Sequence, residues 1–241
     1  MTALDALKSE PVVGVLNNTA SSSIVLVCEH ASAAIPESFE GLGLPADQLK
    51  SHVVWDPGAF AVASFMADML DAKLVYGAVS RLVYDCNRPP DAPDAMPERS
   101  EVLEIPGNLD LSPEAKEARV RTYYHPFRDC VALQMNSTTE PVLVTIHSFT
   151  PVYHGVARDV EIGILHDVDD RLAELMFDHA PAHGSYNVQL NSPYGIEHGV
   201  THTLKEHGVK QGHPNVMLEI RNDLIGTEPV LRRDISASLM P

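Results

Sequence analysis

The chain has 241 residues, 44% of them hydrophobic, and carries 33 acidic residues against 17 basic ones for a formal net charge of −16. That length and apolar fraction predict one α/β domain over residues 1–241; the charge would repel a nucleic-acid backbone, and no apolar run reaches the ~20 residues needed to cross a bilayer. Three scattered cysteines, Cys28, Cys86 and Cys130, exclude a disulfide framework or a thiolate zinc site, so any metal must be held by histidine and carboxylate.

Residues 1–23 lack sustained periodicity and end in Ser21-Ser-Ser23, which predicts a mobile arm; its start lacks the basic and apolar parts of a secretory signal, so the expected location is the cytoplasm. Ile24-Val-Leu-Val-Cys28 reads as a strand apolar on both faces, suited to the middle of a parallel sheet, and it runs directly into Glu29 and His30. The loop Ala31–Leu49, punctuated by Pro36, Gly41, Gly43 and Pro45, would roof a site beside His30. Asp56-Pro57 then leads into a predicted helix over Ala59–Ala72, with Phe60, Ala63, Met66, Ala67 and Leu70 on one face. Asp56 fits the N-cap of that helix and also fits a site residue. Lys73–Val79 is a second strand, which delivers Arg81, Asn87 and Arg88 to the loop behind it. Asp91–Asn108, dense in Pro, Asp and Glu, predicts an irregular excursion over a pocket.

Ser112-Pro113 opens a helical stretch to about Met135 that Pro126 should kink or split. Val142–Ile146 is the central strand of the prediction and ends abruptly in His147 and Ser148. Strands over Val160–Leu165, Asn187–Leu190 and Val216–Arg221 alternate with helices over Val168–His179, Val200–His207 and Glu228–Leu239, the pattern of a βαβ sheet. Neither G-x-G-x-x-G nor a Walker motif occurs, which leaves nucleotide cofactors without support.

Ligands in open α/β sheets bind outside the carboxyl ends of the strands, so His30 and His147 predict one shared site. Neutral imidazoles are the commonest nitrogen ligands of zinc, and catalytic zinc uses three protein ligands with a fourth position open. Asp56 is the first choice for the third ligand and Glu29 the alternative, hampered by its adjacency to His30 on an extended chain. Glu219 interrupts an apolar strand; a buried unpaired carboxylate is costly, so it either pairs with Arg221 or faces the site as a general base. Arg81, Arg88 and Arg99 cluster in an otherwise acidic chain and would hold an anionic substrate, with Asn87 and Tyr194 as further polar contacts. His198 and His202, four apart, are a fallback metal pair that lacks the zincin glutamate. The rival classes are a metal-independent hydrolase using Cys28 or Ser148, although no G-x-S-x-G elbow surrounds the serine, and a non-catalytic ligand-binding protein.

The succession Cys28-Glu-His30-Ala-Ser, Trp55-Asp56-Pro-Gly58, Ser80-Arg-Leu-Val-Tyr-Asp-Cys-Asn-Arg88, Ile146-His-Ser-Phe149, Asn191-Ser-Pro-Tyr194 and Leu218-Glu-Ile-Arg221 resembles the N-formylglutamate amidohydrolase family from about residue 24 to 226. The resemblance implies an α/β fold with a mixed, largely parallel sheet flanked by helices, similar to the zinc-dependent exopeptidases. It also implies hydrolysis of a small acidic N-acyl amino acid, foremost N-formylglutamate to formate and glutamate. Carried onto this sequence, zinc or another divalent metal would be held by His30, His147 and Asp56, and Glu219 would be the general base. Arg81, Asn87 and Arg88 would orient the substrate carboxylate, and Tyr194 and Arg221 complete the expected substrate contacts. One departure stands out: the exopeptidases take their first two ligands from a His-x-x-Glu pair, and here the position three after His30 is Ala33.

Overall fold

Runs of β-branched and aliphatic residues can be covered on both faces, and three such runs lie side by side at the centre of this fold. The structure is a computed structural model and describes residues 11–180 and 186–225. Its strands are β1 (Val13–Leu16), β2 (Ile24–Cys28), β3 (Lys73–Gly77), β4 (Arg99–Ser100), β5 (Leu103–Glu104), β6 (Val142–Phe149), β7 (Val152–Tyr153), β8 (Val156–Ala157), β9 (Ile162–Leu165), β10 (Val188–Leu190) and β11 (Asn215–Arg221). Seven of them form one sheet in the order β1-β3-β2-β6-β11-β9-β10. Strands β3, β2, β6 and β11 are parallel, β1 and β9 run against their neighbours β3 and β11, and β10 is parallel to β9. This is the mixed, largely parallel sheet that the sequence predicts.

The helices are α1 (Ala59–Met69), α2 (Pro113–Arg119), α3 (His125–Asn136) and α4 (Arg171–His179). Side chains alternate across a strand, so each central strand feeds two cores. Leu26, Ile146 and Leu218 pack with Val62 and Met66 of α1 and Met176 of α4. Val27, Leu143 and Met217 pack with Phe127, Val131 and Met135 of α3 on the other face. A third apolar cluster, including Leu42, Val54, Leu82, Ile105 and Tyr124, joins the segments that follow β2 and β3, and it anchors the loops over the strand ends.

Ser112 caps α2 as expected, its Oγ accepting from the Ala115 N–H at 3.2 Å. Between α2 and α3 the chain takes one wide turn over Val120–Tyr124. Pro126 lacks an N–H and its ring would strike the carbonyl four residues back, so the single helix cannot continue at normal pitch.

Two expectations are corrected. Residues 13–16, expected in an arm, form β1, with Gly14 opposite Tyr76 and its missing side chain making room for that ring; four residues with a central glycine carry too little periodicity to read as a strand. The excursion Asp91–Asn108 contains the small hairpin β4–β5. The helix predicted over Val200–His207 is present, His202 and Thr203 running into helical turns over Leu204–Gly208 and Val209–Gln211. The C-terminal helix predicted over Glu228–Leu239 lies outside the described residues. Among the described residues no helix is long and apolar enough to cross a membrane.

The end of β3 shows how tightly the strand ends are packed: a Cβ on Gly77 would fall on the backbone carbonyl oxygen of Glu29. Gly77→Ala is therefore expected to cost roughly 1–3 kcal/mol by forcing backbone apart, read as a lower urea midpoint. A midpoint equal to wild type would show that the two backbones yield without cost.

Candidate metal centre

Three neighbouring parallel strands end at the same edge of the sheet and bring their polar residues together. After Cys28, β2 supplies Glu29 and His30; β6 carries His147 and Ser148; β11 carries Glu219. His147 and Glu219 are register partners, so they project from the same face of adjacent strands. Asp56 enters from the loop before α1, where its N–H donates to the His30 carbonyl at 3.0 Å. The N-cap position of α1 is taken by Gly58, which turns the chain at φ 85, and no side chain caps the helix. The Asp56 carboxylate is thereby left for the site.

Asp56 Oδ2 lies 3.2 Å from His30 Nδ1 and 2.9 Å from His147 Nδ1. Among the described residues these three side chains are the one group whose candidate ligand atoms all lie within 4.8 Å of one another. Each imidazole has a second carboxylate behind it. His30 Nε2 is 2.7 Å from Asp85 Oδ1. His147 Nε2 is 3.1 Å from Glu29 Oε2, but out of hydrogen-bond alignment, so among the described residues neither atom has a hydrogen-bond partner. The Arg81 guanidinium bridges the front of the group, 3.3 Å from Asp56 Oδ1 and 3.2 Å from Asp85 Oδ2.

The six residues Glu29, His30, Asp56, Asp85, His147 and Glu219 are each at most 5% exposed, which makes their charges expensive unless compensated. Burial alone would push the His147 ring down, but Glu29 and Asp56 outweigh it and hold it well above the ordinary value. His30 is raised for the same kind of reason: burial and Arg81 press it down, and Asp85 and Asp56 prevail. Against burial, His30 and His147 hold Asp56 well below the usual carboxylate range, and His30 with Arg81 does the same for Asp85. Glu29 is lowered, its burial overcome by His147. Glu219 goes the other way, pushed up to about 7 by burial, with its Oε2 left without a partner. Two imidazole nitrogens and a carboxylate oxygen, each imidazole backed by a carboxylate, form the donor set and outer support of a divalent zinc-type site. The buried carboxylates of Glu29, Asp56, Asp85 and Glu219 outnumber the single Arg81 guanidinium beside them, an excess of negative charge that a cation would balance. The residues present fit such an ion.

The group floors a cavity of about 320 Å³ that is also lined by Arg81, Asn87, Arg88 and Tyr194. Asn87 and Arg88 clamp the loop to the segment ahead of Leu204. Asn87 donates to the Val200 carbonyl and accepts from the Thr203 N–H, and Arg88 donates to the Gly199 carbonyl at 2.8 Å while pairing with Asp94 at 2.7 Å. Tyr194 Oη accepts from Arg158 Nη2 at 3.1 Å. Arg221 does not line the cavity and does not pair with Glu219; it binds Asp223 at 2.8 Å, Glu161 at 3.3 Å and the Arg158 carbonyl at 3.0 Å. His198 and His202 do not come together as a pair: one ring accepts from the Gly195 N–H, the other lies 2.8 Å from the Tyr124 hydroxyl. Ser148 Oγ donates to the Pro57 carbonyl at 2.8 Å, and the buried Cys28 thiol is pushed well up by desolvation. Sequence reasoning missed Asp85 and Arg158. Asp85 stands four residues after Arg81, the one signal in the chain for their pairing.

The sequence profile of the N-formylglutamate amidohydrolase family matches residues 22–226. A crystal structure of a gene product from Agrobacterium tumefaciens is 52% identical, with a TM-score of 0.91 over 94% of this chain and 91% of that one. A crystal structure of N-formylglutamate amidohydrolase from Ralstonia eutropha JMP134 is 17% identical, with a TM-score of 0.67 over 94% and 95%, and has the same fold. No curated protein matches the sequence.

The charge arrangement sets the pH dependence of the metal-free protein. The lowered carboxylates Asp56, Asp85 and Glu29 contribute stability that is present above their ordinary values of 3.8 to 4.5 and lost as pH falls through the folded values. The raised imidazoles His30 and His147 contribute stability present below 6.5 and lost as pH rises through theirs. Glu219 adds to the second trend, because its burial costs progressively more from 4.5 up to about 7. Chelator-treated protein should melt highest between about pH 4.5 and 6.5 and distinctly lower at pH 8. A melting temperature that climbs from pH 5.5 to 8 under chelator would contradict this arrangement.

Proposed function

The chain belongs to the N-formylglutamate amidohydrolase family and is an amidohydrolase acting on a carbon–nitrogen bond outside peptides; from that premise we propose a zinc-dependent enzyme of the cytoplasm that cleaves N-formylglutamate to formate and glutamate. The observation that carries the metal-dependent reading is the meeting of His30 Nδ1, His147 Nδ1 and Asp56 Oδ2 beside the unpartnered Glu219 carboxylate. In this reading His30, His147 and Asp56 hold the zinc, which when bound supplies Lewis acidity, acidifying water near neutral pH and polarising an amide carbonyl.

The remaining work falls to the chain itself. Asp85 fixes the orientation of the His30 imidazole from behind by a hydrogen bond, and the Glu29 carboxylate stands behind His147 as a nearby negative charge. Glu219, raised to about 7, is poised to take a proton from the attacking water and return it to the departing amine. Burial presses the Arg81 guanidinium toward neutrality, but Asp85 and Asp56 outweigh it and raise its pKa, so it keeps its charge beside the place where negative charge develops on the carbonyl oxygen. Arg158 can only donate, so Tyr194 Oη is its acceptor and the tyrosine's own hydrogen remains free for a substrate oxygen. A well-placed donor of this kind contributes about 3–4 kcal/mol to the transition state in comparable sites.

A covalent mechanism has weaker support, since the Ser148 hydroxyl is spent on the Pro57 carbonyl and, among the described residues, is hydrogen-bonded to no imidazole, and Cys28 is buried with a raised pKa. Three unpaired cysteines suit a reducing compartment.

Elemental analysis of purified protein should find about one zinc per chain in wild type and far less in His147→Ala, with hydrolysis of N-formylglutamate lost in the variant and abolished by chelator. Glu219→Gln should keep the metal and lose roughly 10²–10⁴-fold in kcat. Chelator-insensitive turnover, or full activity in a His30→Ala/His147→Ala double variant, would sink the metal reading.

A further inference from the structure

Three arginines line the cavity, and two of them are already committed. Arg81 is held between Asp56 and Asp85, and Arg88 between Asp94 and the carbonyls of Asn87 and Gly199. Arg99 is different. It is exposed on β4 at the cavity rim and, among the described residues, makes no hydrogen bond or ion pair, not even with Glu104 directly across the β4–β5 hairpin. The next residue, Ser100, also lines the cavity with its hydroxyl unengaged among the described residues. The hairpin that carries both is fastened in place: Glu101 lies 2.7 Å from His52 Nε2, and the Ile105 N–H donates to the Glu98 carbonyl at 2.9 Å. The rim carboxylates Asp94 and Glu101 are occupied by Arg88 and His52, so Arg99 is the uncompensated cation of the cavity.

We infer that Arg99, with Ser100, binds the side-chain carboxylate of the substrate and makes the enzyme selective for N-acyl derivatives of dicarboxylic amino acids; this rests on the amidohydrolase reading above. The reacting amide must lie on the floor of the cavity, by Asp56, His147 and Glu219. The α-carboxylate is separated from the amide nitrogen by one carbon and so stays close to the floor, beside the exposed edge of Arg81. A carboxylate at the end of a side chain extends away from the floor toward the rim, where a planar guanidinium on a braced hairpin is placed to take it through two parallel hydrogen bonds.

The test compares N-formylglutamate with N-formylglutamine, which has the same shape without the side-chain charge. Loss of a charge-assisted hydrogen-bond pair should lower kcat/KM of Arg99→Gln for the glutamate substrate about 10–100-fold more than for the glutamine one, chiefly through KM, with Arg99→Lys intermediate and melting temperature unchanged. Equal losses on both substrates, or none, overturn the assignment. If wild type hydrolyses neither compound, the N-formylglutamate reading fails on its own, and calorimetric titration with glutarate decides on Arg99 separately. Binding weakened about tenfold or more in Arg99→Gln supports the subsite, and equal or absent binding in both proteins removes it.

Discussion

Everything at the strand ends depends on one contact, a single carboxylate oxygen, Asp56 Oδ2, placed against the Nδ1 atoms of two imidazoles. Around it the fold removes four carboxylates from water and, among the described residues, places only Arg81 as a permanent counter-charge. Effective penalties of several kcal/mol per buried ion mean that such a group persists only if more positive charge arrives. Protons on His30 and His147 supply it in the metal-free chain, which is why both rings are raised against the pull of burial. A divalent cation held at the same atoms would supply it too, so protons and metal would compete for one place and metal uptake would expel protons.

The sheet makes this concentration of charge possible. Parallel strands present their carboxyl ends on one edge, and the pairing of β6 with β11 sets His147 and Glu219 side by side without any loop to position them. Side chains on β-strand ends inherit the rigidity of the ladder, which is the accuracy that a catalytic group requires. Asp56 and Asp85 come from connections, and each is pinned separately. The Asp56 N–H is tied to the His30 carbonyl, and the Asp85 loop is anchored by the apolar cluster around Leu82 and Tyr84 and by the Asn87 clamp.

The parts of the site that could be read from the sequence are those whose signal is local. A β-branched run ending in histidine is a strand delivering a side chain to an edge, and His30 and His147 were legible on that ground, while Glu219 was legible as a carboxylate interrupting an apolar strand. Asp56 was ambiguous because Asp-Pro before a helical pattern is also a cap; the left-handed turn at Gly58 moves the cap along by two residues and decides the matter. Asp85 reads as an ordinary loop carboxylate, since its role depends on His30, 55 residues away. Arg221 was misread for the opposite reason. Two residues beyond Glu219 it shares that residue's face by strand periodicity, but the neighbouring Glu161 captures its guanidinium, a contact that no local pattern encodes.

The positive groups at the centre already face carboxylates. Arg81 is spent on two carboxylates, and both imidazoles are spent on carboxylates or on a cation, so little positive charge is left at the floor to choose among substrates. Choice must therefore come from groups outside the sheet, and the hairpins and loops around the rim are where the chain places them. Such a division lets the reacting groups stay fixed by the ladder while recognition varies on short, separately braced segments. It also explains how an acidic protein of net charge −16 can attract an acidic substrate: the field that matters is that of one uncompensated cation at a cavity mouth, and the charges over the rest of the surface are screened within about 10 Å at moderate salt.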